Sequence, residues 1–130
     1  MTWVPSSFGM KMTLSREVPA KIGEELLTFL EEMCLESGYD FSQLKEKAIF
    51  AVHPGGPKII SAVAAKLGLS AEQVAASVKV LKERGNMSSA TLPHVWHEIL
   101  LNRPQAGRMV ISLAFGPGLT IFGSIFEVVS

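Results

Sequence analysis

Ala48-Ile49-Phe50-Ala51-Val52-His53-Pro54-Gly55-Gly56-Pro57 is the stretch on which the reading of the fold turns. Its first five residues form a continuous apolar run of strand length, and such a run suits a central strand covered on both faces. His53 to Pro57 ends that strand abruptly. Pro57 suits the first turn of a helix, where a missing N–H costs nothing. The spacing then predicts Ile59, Ile60, Val63, Ala64 and Leu67 on the inner face of that helix.

Working outward, Met10, Met12 and Leu14 alternate with Lys11 and Thr13, which predicts a short strand after an irregular lead-in over residues 1–9. Pro19 opens a helix whose Ile22, Leu26, Phe29, Leu30, Met33 and Cys34 share one apolar stripe, with Glu24, Glu25, Glu31, Glu32 and Glu36 opposite and Gly38 as the stop. Downstream, Ser70 and Gln73 hold capping-box positions for a helix with Val74, Val78 and Leu81 inward and Gly85 as its end. Ser88 and Ser89 are placed to cap a third helix reaching about Leu101, and Pro93 implies that it starts late or kinks. Strands over Arg108 to Phe115 and Leu119 to Val129, joined by a turn at Gly116-Pro117-Gly118, close the chain. The alternation is α/β, with the last two strands antiparallel and no internal repeat or linker.

The chain has 130 residues, enough for one domain with a real core. Its 12 basic and 12 acidic residues cancel, so the basic excess of a nucleic-acid binder is missing. No apolar run approaches the roughly 18 residues of a membrane helix, and the N-terminus lacks a signal-peptide pattern. Cys34, the single cysteine, cannot form an internal disulfide, which suits a cytoplasmic location. Charged residues are only 18% of the chain, against about 25% in typical domains. Either the surface is rich in uncharged polar groups, or part of it is buried against something else.

His53 carries the strongest chemical signal. Ligands of open α/β sheets bind beyond the carboxyl ends of strands, and a histidine there can exchange a proton near neutral pH or donate to a developing oxyanion. Gly55 and Gly56 let a ligand approach the backbone, and the following helix start offers free N–H groups. An incidental histidine in a tight turn is the competing reading. Asn86, in Gly85-Asn86-Met87-Ser88-Ser89, is either an amide donor aimed into a pocket or punctuation between helices. Phe115-Gly116-Pro117-Gly118 is either pocket-lining backbone or an ordinary hairpin. His94 and His97 stand one helical turn apart without a third ligand, so no metal is expected. Trp3, Trp96 and Cys34 read as packing residues. With no Ser-His-Asp arrangement and no phosphate loop, a nucleophile serving His53 and Asn86 is expected outside this chain.

Taken together, His53-Pro54-Gly55-Gly56-Pro57, Gly85-Asn86-Met87-Ser88-Ser89-Ala90 and Phe115-Gly116-Pro117-Gly118-Leu119-Thr120 resemble, in order and separation, the C-terminal half of the type III polyketide synthases, the chalcone synthase-like family. Gly9 to Pro19 is similar to the family's upstream segment in its bacterial form. The resemblance implies that residues 1–130 are the C-terminal thiolase-fold domain, a mixed sheet of five-stranded type with helices packed on it. It implies an acyltransferase that extends an acyl-CoA starter with malonyl-CoA by decarboxylative condensation, usually as a homodimer. CoA thioesters are then substrates, and no cofactor is expected. The nucleophilic cysteine would lie in an N-terminal half absent here, leaving the isolated chain inactive in condensation.

Carried over by position, His53 and Asn86 are the catalytic pair that stabilises the enolate. Gly55, Gly56 and Lys58 border the pantetheine tunnel, and Ser88, Phe115, Gly116 and Pro117 line the cavity of the growing polyketide. Met12 stands where plant relatives carry a gating phenylalanine, which favours a fatty acyl starter and alkylpyrone or alkylresorcinol products. The initiating ketoacyl-ACP synthases share the fold and the His/Asn pair, but they follow the histidine with glutamine, alanine and asparagine rather than Pro54-Gly55-Gly56. A non-catalytic CoA- or partner-binding domain is the remaining alternative.

Overall fold

The computed structural model describes residues 2–13 and 17–129; the side chains of Thr2, Trp3 and Met10 to Thr13, and Leu14 altogether, lie outside that description. In chain order the elements are β1 (Thr2–Ser6), β2 (Gly9–Thr13), α1 (Val18–Glu36), α2 (Phe41–Lys47), β3 (Ile49–Val52), α3 (Pro57–Leu67), α4 (Ala75–Arg84), a 3-10 turn (Ser88–Ala90), α5 (Thr91–Leu101), β4 (Met109–Gly116) and β5 (Thr120–Glu127). The expected mixed sheet with helices packed on it is present, with three strands among the described residues where five were expected, because β1 and β2 pair with each other instead of joining it. Among the described residues, β3, β4 and β5 form that sheet and β1 and β2 form a hairpin of their own.

β3 runs parallel to β4, and β4 runs antiparallel to β5. Strand alternation divides the core between two faces. Phe50, Val52, Ile111 and Leu113 join Ile22, Leu26, Leu30 and Cys34 of α1 and Ile60, Val63 and Leu67 of α3. Ala51 and Val110 join Ala76 and Val80 of α4 and Val95 and Ile99 of α5. The result is three layers, with α1 and α3 on one side of the sheet and α4 and α5 on the other. Gly123 lets α1 approach β5 closely: a Cβ there would stand 2.7 Å from Phe29 and 2.8 Å from the Met33 sulfur.

The parallel edge of β3 that faces away from β4 is answered by the segment leading into α4. The Phe50 N–H donates to the Gln73 carbonyl (2.9 Å), and the Val52 N–H donates to the buried Ser77 hydroxyl (3.0 Å). Gln73 also donates both hydrogens of its side-chain amide, to the Lys45 and Ala48 carbonyls (2.8 and 2.9 Å). Its Oε1 accepts the Ser70 N–H (3.0 Å), while the Ser70 hydroxyl accepts the Gln73 N–H (3.3 Å). The capping box is therefore real, but it closes a turn over residues 71–74 and the helix begins only at Ala75.

That delayed start corrects the expected inner face: Val78 is 47% exposed and Leu81 half-buried, while Ser77 and Val80 are buried. The polar Ser77 displaces an apolar residue inward because the strand edge needs an acceptor there. The lead-in is likewise corrected. Residues 2–6 pair with 9–13 as a hairpin, with Trp3 opposite Met12 and a turn in which the Ser6 hydroxyl donates to the Gly9 carbonyl. Pro5 does not prevent the pairing, since an edge strand tolerates a residue without an N–H. The short helix α2, capped by Asp40 on the Ser42 N–H (2.9 Å), is not anticipated from the apolar pattern.

Gln73→Ala is expected to lower unfolding free energy by about 2–3 kcal/mol, because two part-buried carbonyls lose their donors. Urea denaturation compared with the exposed-site control Gln43→Ala, expected to stay within about 0.5 kcal/mol of wild type, checks it.

Candidate active site

The parallel pairing of β3 and β4 carries their two carboxyl ends to the same edge of the sheet, with Val52 opposite Leu113. The ladder extends one bond further, from the His53 N–H to the Leu113 carbonyl (2.8 Å). Strand alternation continues through it, so His53 falls on the side of Ile49 and Ala51, toward α4 and α5. Pro54 is fully buried and anchors the turn, and the Gly55 N–H donates back to the His53 carbonyl (2.9 Å). Gly56 then leads into α3, whose first turn holds Pro57 and the exposed Lys58.

The imidazole of His53 lies over Gly55: a Cβ on Gly55 would stand 3.7 Å from its Cδ2 and 4.0 Å from its Nε2. Half-buried, the ring loses hydration that its charged form needs most, and burial lowers its pKa below the ordinary imidazole value. His53 is thus a neutral donor and acceptor at pH 7.

Asn86 reaches the same loop from the end of α4, on the face of the sheet that His53 also occupies. It follows Gly85, which ends α4 at φ 70° where a side chain would be strained. The Asn86 Nδ2 lies 3.4 Å from the Gly55 carbonyl, whose residue the His53 ring covers. Which end of the amide is oxygen is decided by its other contact: the Ser88 N–H, which can only donate, points at Oδ1 at 2.9 Å. One Nδ2 hydrogen serves Gly55, and the second is available to a ligand. A neutral imidazole and a neutral amide therefore flank one backbone position, an arrangement suited to developing negative charge.

The other site positions divide. Ser88 lies in the Asn86 turn, exposed and at φ 59°; it caps no helix, and the first α-helical residue after it is Thr91. Gly116 is buried at the end of β4, and the turn beyond it exposes Pro117, whose carbonyl accepts from the Thr120 hydroxyl (2.8 Å). The Phe115 ring packs with the core of α1 and α3, the face opposite His53. Met12 has its backbone on β2, opposite Trp3, and its side chain lies outside the described residues.

Cys34 is fully buried on α1 with its pKa raised, first by desolvation and second by Asp40, which makes it a packing residue and a poor nucleophile. Trp96 also packs, donating to the Ser112 hydroxyl (2.8 Å) and meeting Phe126 edge-on at 5.5 Å. Glu98 turns to Lys79 (2.6 Å) rather than to His94 or His97. Thr91, buried beside Asn86 and bonded into its turn, had no local signature, since nothing in its neighbours marks a threonine at a helix start as inward-facing.

Because the folded state holds His53 neutral, its contribution to stability is fully present above the ordinary imidazole pKa of about 6.5 and is lost as pH falls through the lower folded value. An NMR titration of the imidazole Cε1 proton is expected to show a midpoint below that of a free histidine. The acid-side loss of stability between pH 7 and 5 is expected to shrink in His53→Gln.

Residues 5–130 match the family described as chalcone and stilbene synthases, C-terminal domain. The chain is 34% identical over 124 residues to the alpha-pyrone synthesis polyketide synthase-like Pks18 of Mycobacterium tuberculosis, covering 93% of this chain and 30% of that protein. A putative chalcone synthase of Bacillus subtilis is 34% identical over 122 residues, covering 92% and 32%. Type III polyketide synthase C of Arabidopsis thaliana is 32% identical over 126 residues, covering 94% and 32%. The chain thus spans about a third of the length of these relatives. Among solved structures, the C-terminal type III polyketide synthase domain of Steely1, a type I/III hybrid from Dictyostelium, superposes with a TM-score of 0.89 at 28% identity, covering 100% of this chain and 36% of that one. With the sequence family and the thiolase-like architecture in agreement, the chain belongs to the type III polyketide synthases, as a chalcone and stilbene synthase C-terminal domain.

Proposed function

We propose that this chain supplies the enolate-stabilising half of a polyketide-forming acyltransferase site. The observation that carries the reading is the meeting of two neutral donors at Gly55: the half-buried His53 ring and the Asn86 amide. In the proposed reaction the C–C bond to the malonyl-CoA carboxylate breaks, releasing CO2 and leaving its electron pair on the thioester enolate. His53 and Asn86 donate to that enolate oxygen. The enolate carbon then attacks an acyl group held on a cysteine, and the cysteine leaves as thiolate.

The cysteine is assigned to an N-terminal half, because Cys34 is buried in the α1 core and cannot serve. CoA thioesters are the substrates, with no cofactor, and the chain alone is inactive in condensation. Gly55, Gly56 and Lys58 border the pantetheine path at the start of α3, and Ser88, Gly116, Pro117 and Met12 contribute to the cavity, with Phe115 contributing backbone only because its ring packs in the core of α1 and α3. The alpha-pyrone synthesis named for the Mycobacterium relative supports a pyrone product, and Met12 in place of a gating phenylalanine favours a fatty acyl starter. We assign the whole enzyme to the cytoplasm as a homodimer; no helix among the described residues is long and apolar enough to cross a membrane. Phe122 and Phe126, 59% and 43% exposed on β5, support burial of this surface in the whole enzyme.

In the enzyme completed by its cysteine-bearing half, His53→Gln and Asn86→Ala are each expected to slow CO2 release from malonyl-CoA by about 100-fold or more, with the fold unchanged by circular dichroism. Wild-type turnover in His53→Gln would overturn the assignment.

A further inference from the structure

We propose that Thr91 is a positioning residue that holds Asn86 in its donating orientation. Thr91 opens α5 and is fully buried, although its side chain is polar. Its hydroxyl accepts the Met87 N–H at 2.7 Å and donates to the Ser88 carbonyl at 2.8 Å. The Asn86 Oδ1 lies 3.5 Å from the same oxygen and accepts the Ser88 N–H at 2.9 Å. One hydroxyl thereby pins both residues that follow Asn86, and Ser88 in turn pins the Asn86 oxygen. The amide can then point its nitrogen only one way, toward the Gly55 carbonyl.

The turn so held is not one that the chain adopts unaided. Ser88 sits at φ 59°, in the left-handed region, which is strained for a residue with a Cβ. Without the hydroxyl, the Met87 N–H loses its partner and the Ser88 carbonyl keeps only the Thr91 backbone N–H. The turn then relaxes, Ser88 no longer presents its N–H to Oδ1, and the Asn86 amide rotates freely. A role in packing alone makes the opposite demand, because it needs the volume of the threonine side chain and not its hydroxyl.

Thr91→Val keeps shape and removes the hydroxyl; Thr91→Ser keeps the hydroxyl and removes a methyl. In 15N–1H spectra of the chain, with the Asn86 side-chain amide identified by its loss in Asn86→Asp, Thr91→Val is expected to shift both Asn86 Nδ2 proton signals and the Ser88 amide. Thr91→Ser is expected to leave them in place. Unmoved Asn86 signals in Thr91→Val, or equal movement in both variants, overturn the proposal. Hydrogen exchange in the unmutated chain provides a test that needs no variant to fold. The Met87 and Ser88 amides are expected to be protected despite their place in a surface turn, and exchange at open-loop rates overturns the proposal.

The consequence for turnover rests on the function proposed above. In the completed enzyme, Thr91→Val is expected to lower kcat for malonyl-CoA decarboxylation about 10-fold with KM unchanged, and Thr91→Ser to restore it. If the spectra respond as expected while both Thr91→Val and Asn86→Ala leave kcat unchanged, the catalytic reading of Asn86 fails and the positioning of its side chain stands. A lowered kcat with unmoved Asn86 signals overturns the positioning and leaves the catalytic reading intact.

Discussion

A strand at the margin of a sheet presents a row of N–H and C=O groups that must find partners, and β3 presents its row immediately before His53. The Gln73 carbonyl and the Ser77 hydroxyl answer the Phe50 and Val52 N–H groups. Neither belongs to a neighbouring strand. The Gln73 side chain binds the same segment to the Lys45 and Ala48 carbonyls, so one residue joins the end of α2, the edge of β3 and the approach to α4. Removing it unfastens three elements together. These bonds fix how far along β3 the helix α4 starts, and the helix length then fixes where its far end stands.

That far end is the Asn86 turn. From Ala75, ten helical residues carry the chain along the sheet face to Gly85, and Asn86 emerges beside the loop that follows β3. The two donors of the site are 33 positions apart in sequence and come from opposite ends of this one connection. His53 is placed by the β3–β4 ladder and Asn86 by the α4 path, with Thr91 tightening the last turn. The site therefore inherits its accuracy from backbone pairing rather than from long side chains. This suits groups that must be aligned before charge develops.

Those layers explain what the amino-acid sequence discloses and what it withholds. The stripe of α1, the buried run of β3, the start of α3 at Pro57 and the closing hairpin all follow from apolar period and turn chemistry, and all stand in the structure. His53 and Asn86 were legible as candidates because each interrupts a regular element with glycine beside it. The inner face of α4 was not. A helix whose first duty is to cover a polar strand edge buries Ser77 and leaves Val78 exposed, which no apolar periodicity encodes. Nor was Thr91, whose neighbours in space are carbonyl and amide groups of a turn. The hairpin over residues 2–13 leaves no complete period-two signature because Pro5 and Ser6 interrupt it, while backbone pairing asks little of an edge strand's side chains.

The protonation state of His53 is set by burial alone. Among the described residues no carboxylate bonds its ring, and desolvation is the cause of its lowered pKa. A carboxylate partner would act in the opposite sense, favouring imidazolium. An imidazolium beside an enolate would tend to surrender its proton to the carbanion and quench it as acetyl thioester before a carbon–carbon bond could form. In the reaction proposed, a neutral N–H would stabilise the oxygen without offering so acidic a proton, and the Asn86 amide, which has no accessible ionisation, would do the same. The neutral His53 ring and the neutral Asn86 amide would thus donate to the enolate without protonating it. Pro54, fully buried, and the two glycines beyond it add no ionisable side chain to the His53 loop.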